Sequence, residues 1–507
     1  MLSESLLVTF EVGNVWTWIH DAPAWLTKVF SSETSYPTQT AELLAMGFQA
    51  PDSADGRGWD GWVRLMRWPS FGVPSVPTGL LYILERVCRK FGVQWRVNDR
   101  RVRPVDNVPE LGVNIPLRDY QEIAVQAALR AGRGVWDMPP RSGKTRAGVA
   151  LVSRLALRTL WVVPTDRIAK QTLKTFDVAF GPGYARHQVG ADGSEALRDA
   201  RVVVCTAATS VLLDPGFYLS REVLIVDEWH HAAAKTYHDL SVACEHVYYR
   251  FGMTGTNYRS GQDLLSLHAV LSQTICKISS AELVRRGVLV PTDVLFLPVR
   301  GRVVDAGGNF QVGLGRAGLY ENEERNGLVV EAADLLAKQG RTVLVLVGTK
   351  AQGKLIVQQL LPRFAPRPSP GAFGQVEYVD SDGTKPRVDA VLDAFATGVG
   401  PRVLVGTSLV GEGVDVPVAD AMVLACGGKA RVTLTQSGLR VATAVPGKAR
   451  SVLVDFADKG HRKLLEHSME RVAVFCAEPV FQVHMAPRGL QDLHAWSAAY
   501  PVGSAIP

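Results

Sequence analysis

The chain has no long apolar run, no paired cysteines and no strong excess of one charge, and each shortfall removes a class of protein. No segment approaches the roughly 18 consecutive apolar residues that a membrane-spanning helix needs, so no membrane partner is expected. The first residues, Met1 to Ser5, include an acid where a secretory leader carries a basic start. The six cysteines (Cys88, Cys205, Cys244, Cys276, Cys426 and Cys476) are scattered without a Cys-x-x-Cys pair. That excludes the usual zinc and iron–sulfur spacings and points to a reducing compartment, the cytoplasm. A net charge of +6 over 507 residues is too small to imply nucleic acid by itself. What remains is an ordinary globular composition, 47% hydrophobic and 21% charged, with length enough for two to four domains.

The charge is nevertheless uneven. Residues 1–56 hold one lysine, Lys28, against seven acids, a net of −6; residues 57–103 hold ten Arg or Lys against three acids, a net of +7. Seven of the eleven tryptophans also precede residue 100. A basic segment with interleaved aromatics suits phosphate contacts and base stacking. Trp59, Trp62, Trp68 and Trp95 suit equally the core of a small domain. The arginines (Arg57, Arg64, Arg67, Arg96, Arg100, Arg101 and Arg103) suit equally a solvated face.

Two segments carry chemistry. Pro139-Pro-Arg-Ser-Gly-Lys-Thr145 reads as a phosphate-binding loop running from a strand into a helix. Arg141, Ser142 and Gly143 shape it, with Gly143 letting backbone N–H groups approach a polyphosphate. Lys144 supplies charge at the β/γ-phosphates, and the Thr145 hydroxyl is a ligand for Mg²⁺. Some eighty residues on, the apolar run Val223–Val226 ends in Asp227 and Glu228, suited to hold the metal and to activate water respectively. In this order and spacing they point to a nucleotide hydrolase using ATP and Mg²⁺.

The rest of the chain divides into four parts. Residues 1–112 read as a small α+β domain with one amphipathic helix, Gly79–Phe91, and a linker over 107–116. From Leu117, strands alternate with helices: Gly134–Met138, Thr159–Val163, Val202–Cys205 and Val223–Val226, then Val343–Val347, Val376–Val379, Val403–Val405, Ala421–Leu424 and Ser451–Phe456. Such alternation predicts α/β architecture with parallel sheets and ligands at the carboxyl ends of the strands. The expected units are 113–292, which binds ATP, and 293–475, with 301–318 a glycine-rich loop and 476–507 an irregular tail.

The run of motifs from Leu117 to Asp458 resembles superfamily 2 helicases, whose fold is a tandem of two RecA-like domains. Leu117-Arg-Asp-Tyr-Gln121 is similar to the adenine-reading segment, which makes Gln121 the base contact. Val163-Pro-Thr-Asp-Arg167 and Thr206-Ala-Ala-Thr-Ser210 resemble segments that grip a nucleic-acid backbone, implying contacts from Thr165, Arg167 and Thr206. Gly252-Met-Thr-Gly-Thr256 resembles the segment coupling hydrolysis to motion, with Thr254 and Thr256 carrying it and His230 linking it to the nucleotide. Gly406 to Asp415 resembles a segment touching both strand (Thr407) and nucleotide (Gly413, Asp415). Gln436-Ser-Gly-Leu-Arg440 resembles the arginine-finger segment, giving Gln436 and Arg440 catalytic roles. That segment departs from the family pattern: Leu439 replaces a glycine and Thr443 a second arginine.

Gly58-Trp-Asp-Gly-Trp62 and Val76-Pro-Thr-Gly-Leu-Leu81 are similar to the small domain preceding the motor in phage UvsW-like recombination helicases, which adds Arg57 and Arg64 as DNA contacts. Asn322-Glu-Glu-Arg-Asn326 fits the same branch, which includes restriction-type and XPB-like translocases. The resemblance implies an ATP-dependent DNA helicase or translocase acting on branched or duplex DNA in recombination and repair. A restriction or defence motor, a slowly hydrolysing ATP-gated clamp and an RNA helicase are the alternatives.

Overall fold

Short strands buried along their whole length dictate the architecture. The structure is a computed structural model describing residues 6–38, 41, 45, 60–69, 72–104, 115–190, 192–228, 234–255, 261–304, 313–366, 373–407, 418–427 and 431–502. Among the described residues, no helix is long and apolar enough to cross a membrane.

The N-terminal part contains β1 (Leu7–Val12), β2 (Trp16–His20), β3 (Ser35–Pro37), β4 (Trp62–Arg64), β5 (Ser75–Pro77) and β6 (Gln94–Asp99). Four of these make a mixed sheet in the order β5-β2-β1-β6, and β3 pairs with β4 in a separate ribbon. Alternation along β1 turns Val8, Phe10 and Val12 inward, where they meet Leu26 and Phe30 of one helix (Ala24–Glu33) and Leu84 and Val87 of another (Leu81–Phe91). The expected helix from Gly79 begins as a 3-10 turn, Thr78–Leu80, and continues as Leu81–Phe91. It stops at Gly92, whose φ of +65° favours a residue without Cβ. Trp62 and Trp68 are largely exposed, so neither belongs to this core.

Next come β7 (Arg133–Asp137), β8 (Thr159–Val163), β9 (Ala185–Gln188), β10 (Val202–Thr206), β11 (Val223–Asp227), β12 (Tyr249–Thr254) and β13 (Thr274–Lys277). They form a seven-stranded sheet in the order β13-β7-β12-β11-β8-β10-β9, parallel throughout. Every residue of β8 and β11 is buried, the signature of a parallel sheet covered on both faces.

The second sheet uses β14 (Thr292–Val299), β15 (Val343–Leu346), β16 (Val376–Val379), β17 (Val403–Gly406), β18 (Ala421–Leu424), β19 (Ser451–Asp458) and β20 (Phe481–Met485). Its order is β16-β17-β15-β18-β19-β14-β20, again parallel. Two tandem RecA-like sheets with a smaller mixed α+β domain in front are thus the observed fold.

Two expectations need correction. Residues beyond 476 are ordered structure: β20 extends the second sheet beside β14, and the helix Leu490–Ala499 follows. The buried Asp293 carboxylate explains the attachment, accepting hydrogen bonds from Arg450 (2.6 Å) and Trp496 (2.9 Å) and pairing with His484 (2.8 Å). Within the glycine-rich 301–318 stretch, Arg316 starts a π-helical turn, Arg316–Tyr320.

By compactness the chain forms two units, Met1–Met138 with Gly143–Lys277, and Pro139–Ser142 with Ile278–Pro507. In the first, the N-terminal domain is seated on the helix Gly261–Leu271, which contributes Ala269 and Leu265 to its core. A Cβ at Gly79 would lie 1.9 Å from the His268 carbonyl oxygen and 2.6 Å from that of Ala269, so only glycine allows the approach. Tyr82 hydrogen-bonds His268 Nδ1 at 2.8 Å, and the buried Arg133 guanidinium donates to the carbonyls of Asn14 (3.2 Å) and Val270 (3.0 Å).

Gly79→Ala is expected to loosen this seat, because the obstruction is backbone and cannot swing aside. Overpacking of this kind costs about 1–3 kcal/mol, measurable as a lower melting temperature with faster proteolysis of the N-terminal domain. A pH effect should follow as well. Burial pulls the His268 pKa down from 6.5 to about 4, so the folded state prefers the neutral ring. Its contribution is complete above the unfolded value and should be lost as pH falls through about 4. Melting curves between pH 7 and 4 check this, with His268→Asn removing that part of the slope.

Candidate functional site

β7, β12 and β11 lie side by side in parallel, so their carboxyl ends meet at one edge of the first sheet. The phosphate loop leaves β7, the Asp227-Glu228 pair ends β11, and Thr254 ends β12 between them. A hydrogen bond from Met138 N–H to the Thr254 carbonyl (2.9 Å) extends the register past the strand ends.

Gly143 caps the helix Lys144–Leu155 in a left-handed conformation, φ +79°, where a side chain would strain the backbone. Gln121 is buried beneath it: its Nε2 donates to the Gly143 carbonyl at 3.4 Å, and its Oε1 accepts from Arg118 N–H at 2.9 Å. Arg141 (φ +71°) and Glu228 (φ +44°) are two of the five non-glycine residues with positive φ among the described residues. Both therefore hold sparsely populated backbone conformations at the loop and at the end of β11.

Lys144 is buried, 8% exposed as a residue. Its ammonium donates to the Met138 carbonyl (3.2 Å) and sits 3.1 Å from Glu228 Oε1. The other Glu228 oxygen accepts from Gly255 N–H at 3.3 Å, beside Thr254. One carboxylate thus touches both the phosphate-loop lysine and the segment after β12. Asp227 lies beneath it; burial, then the adjacent Glu228 charge, pushes its carboxyl up to about 7, against the opposing pull of Lys144.

This donor set suits a magnesium-bound polyphosphate. Magnesium ordinarily takes one or two protein oxygens and fills its remaining positions with phosphates and water. Asp227 and the half-buried Thr145 on the first helical turn are donors of that kind, and a dication would favour the charged carboxylate that burial and Glu228 oppose. Among the described residues there is no cluster of three or more His, Cys, Asp or Glu suited to hold a metal alone.

Other expected positions are spread along the carboxyl edges. Thr165, exposed, caps the helix Asp166–Phe180 by accepting from Ile168 N–H at 3.3 Å, and Arg167 lies in that helix's first turn. Thr206 ends β10 and accepts from Thr209 N–H at 3.2 Å. As β10 neighbours β8, the Thr165 and Thr206 turns are adjacent. In the second unit, Thr407 directly follows β17. Arg440 is buried near the end of the helix Arg431–Val441, and Thr443 beyond it forms an antiparallel bridge with Leu289. Arg64 is engaged by Asp60 in an exposed ion pair. Arg57, His230, Thr256, Gly413, Asp415 and the side chain of Gln436 lie outside the described residues.

Sequence reasoning missed a cavity of about 870 Å³ on the second unit, lined by Arg316, Tyr320, Asn326, Thr349 and Gln352 among others. Thr349 follows β15, which neighbours β17, so this opening and Thr407 occupy one edge. The signal was available in Val347-Gly-Thr349, a strand end in the same form as Val405-Gly-Thr407.

Known proteins resemble this chain in sequence and in fold. Residues 114–259 match the family model described as type III restriction enzyme, res subunit. The DNA 3'-5' translocase XPB2 of Sulfurisphaera tokodaii is 31% identical over 153 residues, 30% of this chain and 33% of that protein. The ATP-dependent DNA helicase uvsW of Enterobacteria phage T4 is 20% identical over 467 residues, covering 83% of this chain and 89% of the helicase. The chain is related to the superfamily 2 DNA helicases and translocases. It spans only a third of the XPB2 relative's length. In fold it also resembles the ATP-dependent type ISP restriction-modification enzyme LlaBIII bound to DNA, with a TM-score of 0.55, 14% identity and coverage of 86% of this chain and 34% of that one.

The environment of Asp227 yields a direct test. Its raised pKa means that the folded state prefers the protonated acid, so its contribution to stability is lost as pH rises through about 7. Glu228→Gln removes the neighbouring charge and should draw that pKa down towards the ordinary carboxylate range, read by carbon-13 NMR of labelled aspartate. Lys144→Met should move it up.

Proposed function

We propose that the chain is an ATP-dependent DNA translocase or helicase that remodels branched or duplex DNA in recombination and repair. The observation that carries this reading is Glu228, which contacts Lys144 with one oxygen and Gly255 N–H with the other. In the proposed mechanism Gln121 reads adenine and the Gly143–Thr145 amides cradle the phosphates. Asp227 and Thr145 would hold Mg²⁺, which would neutralise charge on the phosphate oxygens. A γ-phosphate draws the Lys144 ammonium to itself and frees Glu228 Oε1 to orient water and accept its proton. The Gly255 contact makes any movement of Glu228 felt at Thr254, and through Thr256 and His230 in the same proposed relay. Gln436, Arg440, Gly413 and Asp415 complete the proposed catalytic and nucleotide contacts. A strand would be gripped by its phosphates at Thr165, Arg167 and Thr206 on the first unit and at Thr407, with Thr349 on the same sheet edge, on the second, a mode nearly blind to sequence. The restriction-enzyme family model favours a second reading, a motor within a restriction or defence complex.

ATPase assays with single-stranded DNA, duplex, four-way junction and RNA separate these readings from one another. DNA is expected to stimulate turnover, a junction most of all, whereas stimulation by RNA alone would overturn the DNA assignment. Lys144→Ala should abolish nucleotide binding. Glu228→Gln should retain binding and lose turnover by at least about 10²-fold, a few kcal/mol; parent-like turnover in that variant would remove the water-activating role. Arg440→Ala should slow turnover by a similar factor with ATP affinity nearly unchanged, because a finger acts on charge developing in the transition state. Intact turnover there would move the finger to another basic residue.

A further inference from the structure

Several cations of the basic, tryptophan-rich segment are engaged within the protein. Asp60 holds Arg64, and the Arg67 guanidinium stacks 3.6 Å from the centre of the Trp16 ring. Asp99 holds Arg101, and Arg103 donates to the Tyr249 hydroxyl at 2.8 Å. These cations brace the protein itself.

A different surface of the N-terminal domain stays uncovered. Trp25, at the start of the helix Ala24–Glu33, is 48% exposed, and Phe91, at the end of the helix Leu81–Phe91, is 45% exposed. Their rings meet edge to face at 5.6 Å. Packed edge to face, both residues still leave nearly half of their surface open to solvent. The rim is cationic. Lys90 Nζ lies 5.6 Å from the Phe91 ring, Arg89 sits over Trp95 at 5.9 Å, and Lys28 is exposed one helical turn beyond Trp25. Among the described residues, neither Lys28 nor Lys90 has a carboxylate partner, and Glu85, the acid on this part of the helix, is engaged by Arg89.

We propose that the Trp25–Phe91 face, with Lys28 and Lys90 on its rim, holds an unpaired DNA strand, its bases stacked on the two rings and its phosphates met by the lysines. The proposal rests on the reading of the chain as a DNA motor and specifies where it keeps the displaced or single-stranded arm of its substrate. Charge complementarity decides the occupant. Lysine is depleted at protein–protein interfaces, whereas exposed aromatics beside unpaired cations are the ordinary platform for single strands. Such stacking is indifferent to sequence, which suits a motor that must accept any arm it meets.

The full chain is used for the test, with fluorescence anisotropy on a labelled oligothymidine of about 20 nucleotides and on a blunt duplex of equal length. Trp25→Ala with Phe91→Ala should weaken oligothymidine binding by at least about tenfold, leave the duplex nearly untouched and keep the basal ATPase. Trp25→Tyr with Phe91→Tyr should restore it, as a general loss of folding would not. Lys28→Gln with Lys90→Gln should flatten the slope of log affinity against log salt by about 1.4, roughly 0.7 for each lost phosphate contact. If the parent binds oligothymidine and is stimulated by DNA while the alanine pair binds equally well, the face is not a strand platform and the proposal falls alone. If the parent neither binds DNA nor is stimulated by it, the motor reading falls, and the face with it.

Discussion

The ammonium of a lysine side chain nine-tenths removed from water must be met by oxygen, and at Lys144 the oxygens come from two different strand ends. The Met138 carbonyl closes β7 and the Glu228 carboxylate closes β11, with β12 holding them at a fixed separation. If the sheet slipped in register, the lysine would be left buried without compensation, a penalty of several kcal/mol. The arrangement therefore ties local chemistry to global topology. Asp227 feels the same constraint from the other side, burial and a like charge working against its ionisation while the lysine supports it. The loop keeps a cation, two carboxylates and a row of amides in tension within one edge of a sheet.

A second buried cation solves a different problem by bonding to carbonyls. Arg133 is met by the carbonyls of Asn14 and Val270, one on the N-terminal domain and one at the end of the helix beneath it. A guanidinium whose two terminal nitrogens donate to carbonyls gains directional geometry. It joins the N-terminal domain to the first sheet with a directional contact, and Gly79 brings the two backbones to within van der Waals limits. These contacts hold the small domain and the first RecA-like sheet within one compact unit.

Much of the architecture was legible because a doubly covered parallel strand must be apolar throughout. Thr159–Val163, Val376–Val379 and Ala421–Leu424 run as read, residue for residue. What escaped had weaker patterns. β12 (Tyr249–Thr254) includes a charged residue, Arg250, whose burial depends on carbonyls of Val247, Ser241 and Cys244 that no local pattern announces. β20 alternates at a sheet edge and looks like a loop until Asp293, nearly two hundred residues earlier, supplies its anchor. The loop and the Asp-Glu pair were visible as motifs, because phosphate binding restricts residue type and spacing together. The Glu228–Gly255 contact was not, since it depends on which strand lies between two others. A count of arginines does not show their pairing either: Asp99 meets Arg101 and Asp60 meets Arg64 only once the backbone brings them round.

β14 occupies an inner place in the second sheet, between β19 and β20. It is made first and seated last. As the chain emerges during synthesis, Thr292–Val299 must wait for Ser451–Asp458 on one side and Phe481–Met485 on the other. The first sheet has all its strands by residue 277, before β14 exists. One half of the protein can thus fold while the other is still being translated, and the second half holds an apolar strand with two unpaired edges for most of its synthesis. That interval, set by strand order alone, is when the nascent chain is most exposed to misassociation.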